Sequence, residues 1–140
     1  MSTEMVWADE GLDVLIPPYL VANDIKVKLF CNNHTPVRGD SVASFTEAAG
    51  GGYAAKTLGA NTHTVDSGST PHDISWSPQT FTFTGPLTTN TTIYGYFVTN
   101  SAGTKVLWAQ LLDTPFVPAN DGDNLQINPC KFQYSGGTPT

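Results

Sequence analysis

The sequence predicts an all-β fold: an antiparallel β-sandwich, jelly-roll-like, preceded by a short helical segment. Three observations carry this. Several stretches alternate apolar and polar residues with period 2, the mark of a half-buried strand. Nineteen Thr, seven Phe, five Tyr and three Trp stand against only two Met, a bias towards strand formers. Turn residues recur at the ~8–12-residue spacing of sandwiches. With 140 residues, the chain has the length of one domain, enough to bury a sizeable core. It divides into an arm or lid over 1–22, a sandwich over 23–134 and a polar tail over 135–140.

The first segment is the exception to the strand pattern. Leu12, Leu15, Ile16, Tyr19 and Leu20 recur with helical spacing. Pro17-Pro18 interrupts them, so a helix starting near Asp9 should stop near Leu15. Strands follow. Ile25, Val27 and Leu29 alternate with Lys26 and Lys28. Asn32 to Pro36 breaks that strand, and Ser41 to Glu47 suits a short one. Gly50-Gly51-Gly52 reads as a flexible joint before Tyr53 to Leu58. Residues 59–71 read as a polar loop with a weak strand near His63 to Val65. Ile74 and Trp76 alternate with Ser75 and Ser77, and in Thr80 to Thr84 Phe81 and Phe83 share one face.

Residues 92–99 and 105–112 flank Asn100-Ser101-Ala102-Gly103 and read as an antiparallel hairpin. Both are apolar on both faces, which predicts a central position or a face covered by another subunit. Asp121-Gly122-Asp123 is a turn, with positive φ expected at Gly122. Leu125 and Ile127 alternate, and Phe132 and Tyr134 continue beyond a bend at Pro129. The expected core holds Phe81, Phe83, Ile93, Phe97, Trp108, Leu125 and Ile127.

Charge narrows the function. The net charge is −6 with six Lys and Arg, which argues against nucleic acid, since phosphate binding needs clustered cations. No apolar run reaches the length of a membrane span, and the start lacks the pattern of a secretory signal. Cys31 and Cys130 are expected as free, mostly buried thiols rather than a disulfide framework. His34, His63 and His72 have no metal-ligand spacing. Asn120 to Asn124 shares only Asp-x-Asp with a calcium loop. Arg38-Gly39-Asp40 matches an adhesion tripeptide but also suits a turn. Asn33-His34-Thr35 and Asn90-Thr91-Thr92 match the glycosylation pattern and read as turns. Paired carboxylates such as Asp66 with Asp73, or Asp113 with Asp121, are the remaining catalytic candidates; nothing marks them out. The expectation is therefore no enzyme, no cofactor and no metal.

From Thr57 to Thr104 there is no Lys or Arg, and only Asp66 and Asp73 are charged. Charge depletion with aromatic enrichment is the composition of an interface core. With the two-sided hairpin strands, it predicts a homo-oligomer or a lattice contact.

The order of motifs resembles small proteins encoded among the structural genes of tailed bacteriophages. The residues that carry the resemblance are Glu10-Gly11-Leu12 with Leu15, Leu29-Phe30 with Asn32-Asn33 and Thr35-Pro36, Phe45 to Ala48, Gly52-Tyr53-Ala54, Ile93 to Thr99 through Ala102-Gly103 to Leu107-Trp108-Ala109, Pro115-Phe116, and Gly122-Asp123 through Leu125 and Ile127 to Pro129. Pro17-Pro18 departs from the longer helix of that family. The resemblance implies a non-enzymatic virion component, a capsid cement or decoration protein. Its partner would be the major capsid protein, its assembly a homotrimer and its place the capsid surface, after synthesis in the bacterial cytoplasm. A tail, baseplate or fibre module that stacks host glycans on Trp76, Trp108, Tyr94 or Tyr96 is the alternative.

Overall fold

A computed structural model describes residues 22–60, 64–66, 72–127 and 130–134. The expected helix near Asp9–Leu15, most of the 1–22 arm, and the 135–140 tail lie outside these residues. Among the described residues there are nine strands: β1 (Ile25–Phe30), β2 (Lys56–Leu58), β3 (Thr64–Asp66), β4 (His72–Trp76), β5 (Gln79–Thr82), β6 (Ile93–Asn100), β7 (Val106–Phe116), β8 (Asn124–Ile127) and β9 (Cys130–Tyr134). They form three antiparallel sheets of order β2-β1-β6-β7, β3-β4-β9 and β5-β8. The all-β antiparallel class is as the sequence predicts.

The period-2 pattern of β1 sets the layering. Ile25, Val27 and Leu29 are buried on one face, while Lys26 and Lys28 are half-buried between them. Val27 lies opposite Val98 of β6, and Leu29 opposite Tyr96, so these side chains share that face. The layer packed against it comes from Trp76, Phe81, Phe83 and Ile127. Trp76 stacks on Trp108 of β7 at 5.6 Å, and Phe83 meets Phe116 at 5.9 Å. Burial at this seam stabilises the two-layer arrangement by roughly 1.5–3 kcal/mol for each large apolar side chain. The expected core residues Phe81, Phe83, Ile93, Phe97 and Ile127 are buried, and Trp108 and Leu125 are partly buried against the same cluster.

The other face of the sheet carries Phe30 and Phe97, and the chain itself covers it. Residues 31–48 fold back along β1, held by Cys31 N–H to the Thr46 carbonyl (2.8 Å) and Ala48 N–H to the Leu29 carbonyl (2.9 Å). A single bridge pairs Phe30 with Glu47. Within this segment Val42–Ser44 is a 3-10 turn, where the sequence suggested a strand. Phe45 follows it and packs on Phe30 and Phe97. The second apolar face of β6 therefore needs no neighbouring subunit, which removes that argument for self-association.

Two further expectations are corrected. Of the hairpin strands only β6 is central; β7 ends its sheet and pairs with β6 alone among the described strands. Its inward residues, Trp108, Leu112 and Phe116, are packed on the core, while Leu107 and Leu111 face outwards, which accounts for its two-sided apolar pattern. The Gly50–Gly52 run is a fixed turn rather than a joint. All three have positive φ, and a Cβ on Gly51 would sit 2.5 Å from the Gly85 carbonyl oxygen. Thr84 N–H bonds the Gly51 carbonyl at 2.8 Å and locks this approach. Gly122 has φ 93°, as expected of its turn. The position of the expected bend, Pro129, lies outside the described residues; across it the chain passes from the β5-β8 sheet to the β3-β4-β9 sheet.

Candidate functional site

Among the described residues, strand β7 presents an open apolar feature. It runs for 11 residues at the end of its sheet. Leu107 is 37% exposed and Leu111 38%, and Asp113 is the one charged residue between 106 and 116. An edge strand offers unpaired N–H and C=O groups to any strand that approaches. Beside it, Pro36, Val37, Phe45, Val106 and Leu107, together with Arg38 and Asp40, line a groove of about 380 Å³. Val37 is 62% exposed.

The wall of that groove is a rigid loop. Asp40 Oδ2 accepts the Val37 N–H at 2.8 Å and lies 2.8 Å from His34 Nε2. The Val37 N–H, and after it His34, hold the Asp40 carboxyl below the ordinary carboxylate value. The His34 ring meets Phe45 edge-on at 5.3 Å. The carboxylate of Arg38-Gly39-Asp40 is thus turned into its own loop, which is the turn reading of that tripeptide.

A second groove of about 380 Å³ opens near the end of β1. Cys31 and Asn32 form its floor; Asn33, Asn90, Thr91, Thr92 and Tyr94 line it. Asn32 is fixed from both ends of its amide: Nδ2 donates to the Ser44 carbonyl (3.0 Å), and Oδ1 accepts the Thr46 N–H (2.8 Å). Asn90 Nδ2 donates to Cys31 Sγ at 3.9 Å. The two Asn-x-Thr tripeptides, far apart in sequence, border one groove. Cys31 is a free, buried thiol; the Cys130 side chain lies outside the described structure.

The remaining candidates are dispersed. His34 is tied to Asp40, His72 lies opposite Tyr134 in the β4-β9 ladder, and His63 is outside the described residues. Register places Asp66 opposite Asp73. Asp113 and Asp121 are exposed. Asp123 accepts the Ala119 and Asn120 N–H groups at 2.9 Å each, and these bonds hold its carboxyl below the ordinary value. Its Oδ2 caps the turn. Among the described residues no three His, Cys, Asp or Glu side chains group to hold a metal ion, and no helix is long and apolar enough to cross a membrane. Of the four aromatic glycan candidates, Trp76 and Tyr96 are buried, and Trp108 and Tyr94 are half-buried and pack on core clusters; Tyr94 also lines a groove.

No protein-family model matches the chain, and no curated protein or solved structure matches it either.

Proposed function

We propose that this chain is a structural protein of a tailed-phage virion that binds the assembled shell as cement or decoration and performs no chemistry of its own. The observation that carries the reading is β7: a long sheet edge with Leu107 and Leu111 exposed and a single formal charge along it. A protein partner that adds a strand there gains main-chain hydrogen bonds and apolar contact with little charge to desolvate. The resemblance of the motif order to phage structural proteins suggests the partner, the major capsid protein. In this reading three copies gather at each shell site. The stretch from Thr57 to Thr104, free of Lys and Arg, suits crowding on a lattice, where many weak contacts act at high effective concentration.

The test is to heat virions with and without the protein. Stripped particles should release their contents at lower temperature and regain the original value when the protein is added back. Particles of unchanged thermal and osmotic stability would overturn the cement role.

A further inference from the structure

The groove at the end of β1 has a chemistry distinct from the β7 edge. Among the described residues, no charged side chain lines it. These described residues supply no counter-charge to an anion or a cation, so a neutral polar ligand matches them best. What its described lining offers is neutral: the amides of Asn33 and Asn90, the hydroxyls of Thr91, Thr92 and Tyr94, and the part of the Tyr94 ring not packed on the Phe30, Phe45 and Phe97 cluster. Among the described residues, the side chains of Asn33, Thr91, Thr92 and Tyr94 make no hydrogen bond to protein, and Asn90 spends only its Nδ2, on Cys31.

These groups are presented on a braced frame. Asn32 ties the groove floor to Ser44 and Thr46. Thr88 N–H donates to the Ala49 carbonyl at 2.8 Å and its hydroxyl donates to the same oxygen at 3.1 Å, which holds the segment leading to Asn90. A preformed site orders little on binding, so its polar contacts count towards affinity. The volume is at the small end of the ~300–1,000 Å³ of small-molecule sites.

We propose that this groove binds an uncharged saccharide. Amide and hydroxyl groups match the donors and acceptors of sugar hydroxyls, and an aromatic ring matches the apolar C–H face of a pyranose. The inference rests on this groove alone and is independent of shell binding through β7.

The experiment is a ¹H–¹⁵N NMR titration of the whole chain with glucose, galactose, mannose, N-acetylglucosamine and N-acetylgalactosamine, with glucuronic acid as the charged control. At least one neutral sugar should give saturating shifts centred on residues 31–33 and 90–94, and glucuronic acid should not. Asn90→Ala and Thr91→Val, at exposed positions, should keep the spectrum of the folded chain and weaken binding by about fivefold or more for each lost hydrogen bond. Absence of saturating shifts with every neutral sugar would overturn the proposal. So would equal binding of glucuronic acid, or unchanged affinity in both variants.

Discussion

Phe45 stacks on Phe97 with ring centroids 4.9 Å apart and planes 9° from parallel, so a loop residue closes the outer face of the central strand. Phe30 completes the cluster at 5.1 Å from Phe45. Phe45 is 6% exposed. Phe45→Ala should therefore cost roughly 3–5 kcal/mol, the range for aromatic truncation in a packed core. Urea denaturation measures it. A loss under ~1 kcal/mol would mean that the face is covered without Phe45.

The Gly51 turn gives a sharper contrast. Gly51→Ala meets both a positive φ and the Gly85 carbonyl oxygen, so it should destabilise by more than the ~1–2 kcal/mol of left-handed strain alone. Gly85→Ala, where a Cβ has nothing within 4 Å, should stay within about ±0.5 kcal/mol. Equal thermal midpoints for the two variants would restore the reading of a flexible joint.

Asp40 and Asp123 make the acid limb steeper. Each has its carboxyl held below the ordinary value by N–H donors, from Val37 and then His34 for Asp40, and from Ala119 and Asn120 for Asp123. A pKa lower in the folded than in the unfolded state adds stability above the unfolded value, near ~4. That contribution is lost as pH falls through the folded value. Asp40→Asn and Asp123→Asn should lower the melting temperature at neutral pH and flatten its decline below about pH 4. Melting curves from neutral to acid pH check this; variants with the wild-type slope would count against these turn bonds.

Phe45 covers the second face of β6 and removes one of the two arguments for self-association; the stretch from Thr57 to Thr104 without Lys or Arg remains. Light scattering of the free protein at micromolar concentration should give the single-chain mass of about 15 kDa, with trimers forming only on the shell. A trimer mass in free solution would place the assembly contact before shell binding.

Local periodicity made β1 and β5 legible, because Ile25, Val27 and Leu29, or Phe81 and Phe83, declare a face within a few residues, while β6 was legible from the turn at Asn100 to Gly103. Phe45 was not legible: its partners Phe30 and Phe97 come from two strands, and nothing in Ser41–Glu47 distinguishes a covering loop from a strand. β7 misled in the opposite sense. Trp108 and Leu112 are apolar because they are packed, and Leu107 and Leu111 are apolar while exposed, so composition alone places the strand in the centre. The groove at the end of β1 was not legible: the two Asn-x-Thr tripeptides that border it read as turns. Their meeting depends on the Cys31–Asn90 contact across the fold, which no local pattern encodes.

Binding of the protein to empty shells of its major capsid protein tests the central claim most directly, read by co-sedimentation for the wild type and for Leu111→Lys. A lysine at an exposed edge position blocks strand addition and should leave stability within about ±0.5 kcal/mol. The account predicts saturable wild-type binding and a variant weakened by at least about tenfold, ~1.4 kcal/mol, with an unchanged melting temperature. Wild-type protein that stays in the supernatant, or a variant that binds as well as the wild type, would contradict it.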